Sequence, residues 1–102
     1  MTGVQTCALP ISEELVGAAH AGCFSMKLAF VLQAAGLTAE SIDTKATVVL
    51  DGGVISDVHL ETSVKIAGVT QAQLEEYTAD AKANCPISKS LTSNITLTTT
   101  LV

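Results

Sequence analysis

The chain has 102 residues, of which 48% are hydrophobic but only 3% aromatic, so we expect one domain with an aliphatic core. Ten acidic residues against five basic ones give a formal net charge of −5. Every basic residue is a lysine. This acidic balance argues against nucleic acid as a partner, because phosphate backbones are bound mainly through cationic side chains.

Residues 1–11 (MTGVQTCALPI) show neither helical nor strand periodicity and do not lead into the pattern that follows. They resemble the translation of a sequencing-library adapter. We therefore predict that residues 1–11 are a non-native segment and that residues 12–102 form the domain. An ordinary flexible N-terminal arm is the alternative. No chemistry is assigned to Cys7 in either case.

The longest apolar stretch covers residues 15–35, but polar side chains such as His20, Lys27 and Gln33 interrupt it. We expect a buried helix there and no membrane association. Residues 1–10 lack the basic and apolar regions of a secretory signal. The expected location is cytoplasmic, where paired cysteines are more often redox-active than structural.

The first predicted element is a long helix with Ser12 as its N-cap, running to about Ala35 and stopped by Gly36. It is apolar on nearly every face, which predicts a central, buried helix. Residues 42–50 form a β-branched run, and Asp51-Gly52-Gly53 predicts a tight turn. A strictly alternating return strand follows, with these residues expected to face the core: Val54, Ser56, Val58, Leu60, Thr62, Val64 and Ile66.

A second helix is predicted from an N-cap at Thr70 to Asn84. Its expected inner stripe consists of Leu74, Tyr77, Ala81 and Thr78. Cys85-Pro86 ends this helix and starts a short helical turn, and residues 94–102 form a last strand. The order helix, hairpin, helix, strand predicts an α+β domain.

Two cysteines, Cys23 and Cys85, are candidates for chemistry, although their spacing alone does not distinguish a redox pair from two small buried side chains. His20 precedes Cys23 by one helical turn, so its imidazole could lower the pKa of the thiol. A packed core histidine is the alternative. Cys85 lies at the start of the short turn, where unpaired backbone N–H groups would favour a thiolate.

Residues 12–26 (SEELVGAAHAGCFSM) resemble, almost residue for residue, the active-site helix of the OsmC family (osmotically inducible protein C). Residues 81–88 (AKANCPIS) resemble that family's second-cysteine motif. The resemblance extends over residues 12–102. The stretch GAAHAGC is more similar to the OsmC branch than to the organic-hydroperoxide-resistance (Ohr) branch, which has a tyrosine where His20 stands.

The resemblance implies an OsmC-like α+β fold, with a long buried central helix packed on an antiparallel or mixed sheet and the family's N-terminal strands missing. It implies a two-cysteine peroxidase of oxidative and osmotic stress defence that reduces organic hydroperoxides. Cys23 would attack the peroxide, Cys85 would form a disulfide with it, and an external dithiol would reduce that disulfide. The implied assembly is a homodimer, and no cofactor or metal is implied. The apolar residues Leu15, Phe24 and Leu28 would favour alkyl hydroperoxides over hydrogen peroxide.

The family also uses a glutamate ten residues before the first cysteine, a position that Glu13 occupies here. Ten residues of straight helix separate the two by about 15 Å. Either the helix bends near Gly17, or Glu13 serves the site of a partner subunit, or it is an ordinary acid at a helix start. The family's arginine beside the cysteine has no counterpart, because the sequence contains no arginine. We therefore expect the cysteine of this chain to lack part of its activation.

Two other functions remain open on the sequence. The chain could be a non-catalytic fragment whose cysteines are structural. It could also be a metal-binding module using His20, Cys23, His59 and Cys85, although no pair of these has zinc-type spacing.

Overall fold

The computed structural model describes residues 11–102, and the side chains from Glu14 onward. The elements are, in chain order, α1 (Ile11–Ala34), β1 (Ser41–Asp51), β2 (Val54–Lys65), α2 (Gln71–Asn84), α3 (Pro86–Ser90) and β3 (Asn94–Leu101). The predicted order of elements is confirmed. The predictions for residues 1–10, including Cys7, lie outside the described residues.

The three strands form one mixed sheet in the order β1-β2-β3. β1 and β2 pair antiparallel, whereas β2 and β3 pair parallel. A parallel neighbour requires a crossover connection, and α2 and α3 supply it between β2 and β3. The predicted α+β class, with helices packed on a mixed sheet, is confirmed.

The hairpin between β1 and β2 turns through Gly52 and Gly53, which both have positive φ (61° and 84°). This is the backbone that a two-residue hairpin turn requires, and glycine adopts it without strain. Ser41 at one end pairs with Lys65 at the other, so the strands are matched over their whole length. The predicted hairpin and turn are confirmed.

Strict alternation along β2 was predicted, but a β-bulge interrupts it near the turn. Val49 pairs with Asp57 and Leu50 with Ile55, which leaves Ser56 as the extra residue. Ser56 therefore lies on the side of Asp57, and its hydroxyl donates to the Asp57 carboxylate at 2.9 Å. Beyond the bulge the faces are exchanged. Ile55 packs against the core and Val54 is 62% exposed, the reverse of the prediction.

From Val58 onward β2 follows the predicted pattern, and its inner side chains are the centre of the core. The buried residues of β2 and its C-terminal end are Val58, Leu60, Thr62, Val64 and Ile66. α1 covers this face of the sheet with Phe24, Leu28 and Leu32. Gly17 allows the close approach, since a Cβ there would lie 3.1 Å from the Val48 side chain.

Helix α1 is buried on one side only, which differs from the prediction of a helix buried all round. Met26 is 62% exposed and Phe30 59% exposed. The exposed apolar residues at helical spacing form what we call the exposed stripe: Leu15, Ala19, Gly22, Met26 and Phe30. The reason is geometric: within the described residues, the sheet, α2 and α3 cover only the opposite side of the helix.

By length and composition, residues Glu14–Ala34 of α1 would suffice to cross a membrane. The core helices of many globular domains meet the same criterion. Here the buried side of the helix, including Phe24 and Leu28, packs in the core of the domain. The packing therefore accounts for the apolar character of that side.

The start of α2 agrees with the sequence, whereas the start of α1 differs. The Thr70 hydroxyl caps α2 by accepting a hydrogen bond from the Gln73 backbone N–H, and the Gln73 side-chain oxygen accepts one from the Thr70 backbone N–H, as in a capping box. α1 begins at Ile11, one residue before the predicted N-cap Ser12. The inner residues of α2 are Leu74, Thr78 and Ala81 as predicted, with Tyr77 half-buried.

Candidate active site

Cys23 and Cys85, which are 62 residues apart, lie in contact in the folded chain. Their sulfur atoms are 3.1 Å apart, and both are free thiols. Cys85 is buried and Cys23 half-buried at the edge of the core. A disulfide has a sulfur–sulfur distance of about 2.05 Å, so this is a reduced pair already placed for oxidation.

The junction between α2 and α3 positions Cys85 against α1. Cys85 ends α2 and precedes α3 in an extended conformation (φ −66°, ψ 125°), and Pro86 starts the new helix. Proline suits that position because its missing N–H would be unpaired there in any case. Since α1 packs against both α2 and α3, the junction lies against Cys23.

The pKa of the Cys23 thiol is raised, primarily because burial disfavours the thiolate. The backbone N–H of Ile87 donates to the Cys23 sulfur and opposes this by lowering the pKa, while the neighbouring Cys85 raises it further. The start of α3 therefore acts on Cys23 through the backbone of Ile87. The predicted thiolate at Cys85 stays a prediction.

His20 is buried, and its Nε2 lies 2.7 Å from the hydroxyl of Ser88 on α3. Its Nδ1 has no hydrogen-bond partner among the described residues. Burial lowers the pKa of His20, so the ring is neutral at neutral pH. The predicted lowering of the Cys23 pKa by the His20 imidazole stays a prediction.

The prediction for Glu13 concerns a side chain outside the described ones. α1 nevertheless continues unbroken across Gly17, so the helix provides no interruption there that would return Glu13 to Cys23. Gly17 instead permits close packing of α1 on β1. The role of Glu13 stays a prediction.

His59 lies far from the two cysteines, on the outer face of the sheet. Its ring nitrogens contact the hydroxyls of Thr96 (2.6 Å) and Thr98 (3.1 Å) on the neighbouring strand. A metal site that joins His59 to Cys23 and Cys85 is therefore incompatible with the fold. Within residues 14–102, no group of three or more His, Cys, Asp or Glu side chains could hold a metal ion.

Phe24 and Leu28, which we expected to favour alkyl hydroperoxides, are completely buried in the core, whereas Leu15 is 45% exposed on the stripe. The apolar surface beside Cys23 is the exposed stripe, whose members Ala19 and Met26 lie one turn before and one turn after it on α1. A separate open cleft of about 660 Å³ between α2 and β3 includes neither cysteine.

The raised pKa of Cys23 predicts a pH profile for its alkylation by iodoacetamide. The thiolate is the reactive form, so the half-maximal rate in the folded chain should lie at a higher pH than in a short peptide of the same local sequence. Restricted access would lower the rate at every pH but would not move this midpoint. A midpoint at or below that of the peptide would contradict the assigned environment.

Together, a long helix on a mixed sheet and a buried contact between two distant thiols define an α+β dithiol protein. The sequence profile of the OsmC-like proteins matches residues 6–100. The chain belongs to this OsmC-like family, as the two cysteine motifs predicted.

One curated relative and two solved structures are similar to this chain. The peroxiredoxin OsmC of Escherichia coli is 45% identical over 89 residues, which are 83% of this chain and 62% of the relative. The chain thus spans less than two thirds of that relative's length. An OsmC-like protein of Mycoplasma pneumoniae has a TM-score of 0.79 at 13% identity, covering 96% of this chain and 74% of the other. The organic hydroperoxide resistance protein OhrB of Bacillus subtilis has a TM-score of 0.64 at 23% identity, covering 96% and 73%. The two structural likenesses concern the fold.

Proposed function

We propose that this chain carries the reactive cysteine pair of a thiol peroxidase, which reduces organic hydroperoxides in cytoplasmic defence against oxidative and osmotic stress. The 3.1 Å contact between the sulfur atoms of Cys23 and Cys85 is the observation that carries the proposal. Two distant cysteines with only a packing role need not meet sulfur to sulfur. Membership in a family that includes a peroxiredoxin supports the same chemistry.

The reaction begins with the Cys23 thiolate, which attacks the terminal oxygen of the hydroperoxide. The S–O bond forms, the O–O bond breaks, and the leaving alkoxide takes up a proton to become an alcohol. Cys23 is then a sulfenic acid. The Cys85 sulfur attacks it, water leaves, and a disulfide remains, which an external dithiol reduces to two thiols while being oxidised itself.

The half-buried position of Cys23 and the burial of Cys85 divide these two roles. Cys23 is the cysteine that a peroxide can reach, and the N–H of Ile87 stabilises its thiolate. Cys85 is completely buried against it and needs to approach by only about 1 Å to form the disulfide. The geometry therefore favours Cys23 as the attacking residue and Cys85 as the resolving one.

The apolar character of the exposed stripe indicates the class of peroxide that the site would bind. Met26 and Ala19 flank Cys23 on the surface of α1, and neither can donate a side-chain hydrogen bond to hydrogen peroxide. An alkyl group bound there would gain by leaving water. We therefore assign an organic hydroperoxide as the substrate in preference to hydrogen peroxide.

The end of the stripe around Phe30, two helical turns from Cys23, supports the proposal of a homodimer, because exposed apolar side chains on a long helix commonly mark an interface. Glu13 lies about 15 Å from Cys23 along the unbroken helix. In the proposed dimer, Glu13 of one copy acts at the site of the other.

Replacement of Phe30, which is 59% exposed on the stripe, by glutamate should shift the dimer to monomer at micromolar concentration, as measured by analytical ultracentrifugation. Ala72→Glu adds the same charge at an exposed position of α2, away from the stripe, and it should leave the dimer intact. A monomeric unsubstituted chain, or equal dissociation of both variants, would contradict the proposed interface.

The disulfide provides the direct test of the proposed function. One equivalent of cumene hydroperoxide, added above neutral pH because the pKa of Cys23 is raised, should link Cys23 to Cys85. Peptide mapping by mass spectrometry without reduction identifies the linked pair. Cys7→Ser is the matched control and should form the same disulfide. The rival reading, in which both cysteines only pack, is correct if the peroxide is not consumed and both thiols persist.

A further inference from the structure

A second contact, between His20 and Ser88, lies one helical turn from the contact between the two cysteines. His20 precedes Cys23 by three residues on α1, and Ser88 follows Cys85 by three residues at α3. The His20 Nε2–Ser88 Oγ distance is 2.7 Å, and the Cys85–Cys23 sulfur distance is 3.1 Å. Two contacts at matching helical spacing therefore join the same two elements.

The short helix α3 is held by few contacts: Ile87 packs against the core, and Ser88 bonds His20. It contains five residues, none of them buried. A single turn of helix is not stable by itself, so tertiary contacts must hold it. The ring of His20 is buried and contacts the Ser88 hydroxyl, so the bond ties α3 to a residue inside the domain.

We propose that the His20–Ser88 hydrogen bond is a positioning contact that holds the α3 turn against α1, so that the Cys85 sulfur stays in contact with the Cys23 sulfur. His20 and Ser88 act through the two cysteines and do not touch the peroxide. This inference concerns the redox pair of the proposed function. Its test, however, requires no peroxide.

The His20–Ser88 hydrogen bond restricts the α2–α3 junction more in the reduced chain than in the oxidised chain. In the disulfide form, the covalent bond itself holds the α2–α3 junction to α1. In the dithiol form, only non-covalent contacts do so, and without the hydrogen bond Cys85 would sample positions away from Cys23. Loss of the bond therefore adds conformational freedom mainly to the reduced state and makes disulfide formation less favourable.

The experiment equilibrates the chain with reduced and oxidised glutathione, in which two thiols and one glutathione disulfide give the protein disulfide and two reduced glutathiones. Quenching by acid, alkylation and peptide mapping give the equilibrium constant for the Cys23–Cys85 pair separately from Cys7. Ser88→Ala should lower this constant about fivefold, as expected for one lost hydrogen bond. Ser90→Ala, on the same helix, removes an exposed hydroxyl that bonds Pro86, and it should leave the constant unchanged.

A second pair of variants covers the possibility that Ser88→Ala does not fold. Ser88→Thr and Ser88→Val have nearly the same shape, and only threonine retains the hydroxyl. The threonine variant should have the higher equilibrium constant. Equal constants in this pair, or a Ser88→Ala variant that loses unfolding free energy with no change in the constant, would overturn the inference and leave the bond a purely structural one.

The outcome is independent of the proposed peroxidase activity. If the chain does not react with cumene hydroperoxide but Ser88→Ala lowers the glutathione equilibrium constant, the proposed function is contradicted and the positioning role is supported. A chain that reacts with the peroxide but has the same glutathione equilibrium in every Ser88 variant supports the function and contradicts the positioning role.

Discussion

Substitution of serine for Cys23 should reduce the consumption of organic hydroperoxide to the uncatalysed level. A hydroxyl ionises too weakly at this position to attack the peroxide, and Cys85 cannot replace Cys23 because it is completely buried. The structural cost of the change should be small, since Cys23 lies at the edge of the core and is half-buried. Loss of peroxide detected by a ferrous-iron assay, beside circular dichroism of the variant, measures both effects.

Cys85→Ser is the informative counterpart, because it should separate attack from resolution. The first equivalent of peroxide should still react, and Cys23 should remain as a sulfenic acid that dimedone labels. Excess peroxide should then convert it to the sulfinic acid, which the unsubstituted chain escapes by forming the disulfide. If Cys85→Ser abolished the first reaction and Cys23→Ser did not, the two roles would be reversed.

The largest expected effect on stability comes from Leu28→Ala. Leu28 is completely buried between α1 and the sheet, so its truncation leaves a cavity and should lower the free energy of unfolding by about 2–5 kcal/mol. The free energy of unfolding of a natural domain is about 5–15 kcal/mol in total, so a large part of the stability would be lost. Urea denaturation followed by circular dichroism gives the difference.

Leu50→Ala is the matched control for this prediction. Leu50 is 46% exposed near the hairpin turn, and the same truncation there should cost less than about 1 kcal/mol. Similar losses in the two variants would mean that Leu28 does not occupy the core position assigned to it. A loss confined to Leu28→Ala would support the packing of α1 on the sheet.

The elements that the sequence predicted correctly are those whose signals are local. Thr70 and Gln73 form a capping box within four residues, and Gly52-Gly53 suits a turn that needs positive φ. The alternation of β2 from Val58 to Lys65 reflects a sheet with one covered face. The bulge at Ser56 has no such signal, because it depends on how β1 and β2 pair over their whole length.

The burial of α1 was predicted less well, for a physical reason. An apolar composition on every face shows that a helix avoids water, but it does not show how many of its faces are covered. In the fold, the side of Phe24 packs on the sheet and the side of Phe30 does not. The proposed second copy would cover that side.

The sequence by itself determined the family, through two cysteine motifs whose residues are contiguous, and with it the fold class and the candidates Cys23 and Cys85. Only the tertiary structure decided what surrounds those cysteines. It directed the Ile87 N–H to Cys23, bonded His20 to Ser88 and brought two sulfurs 62 residues apart to 3.1 Å. These contacts depend on the packing of α3 across α1, a long-range arrangement that spacing along the chain does not encode.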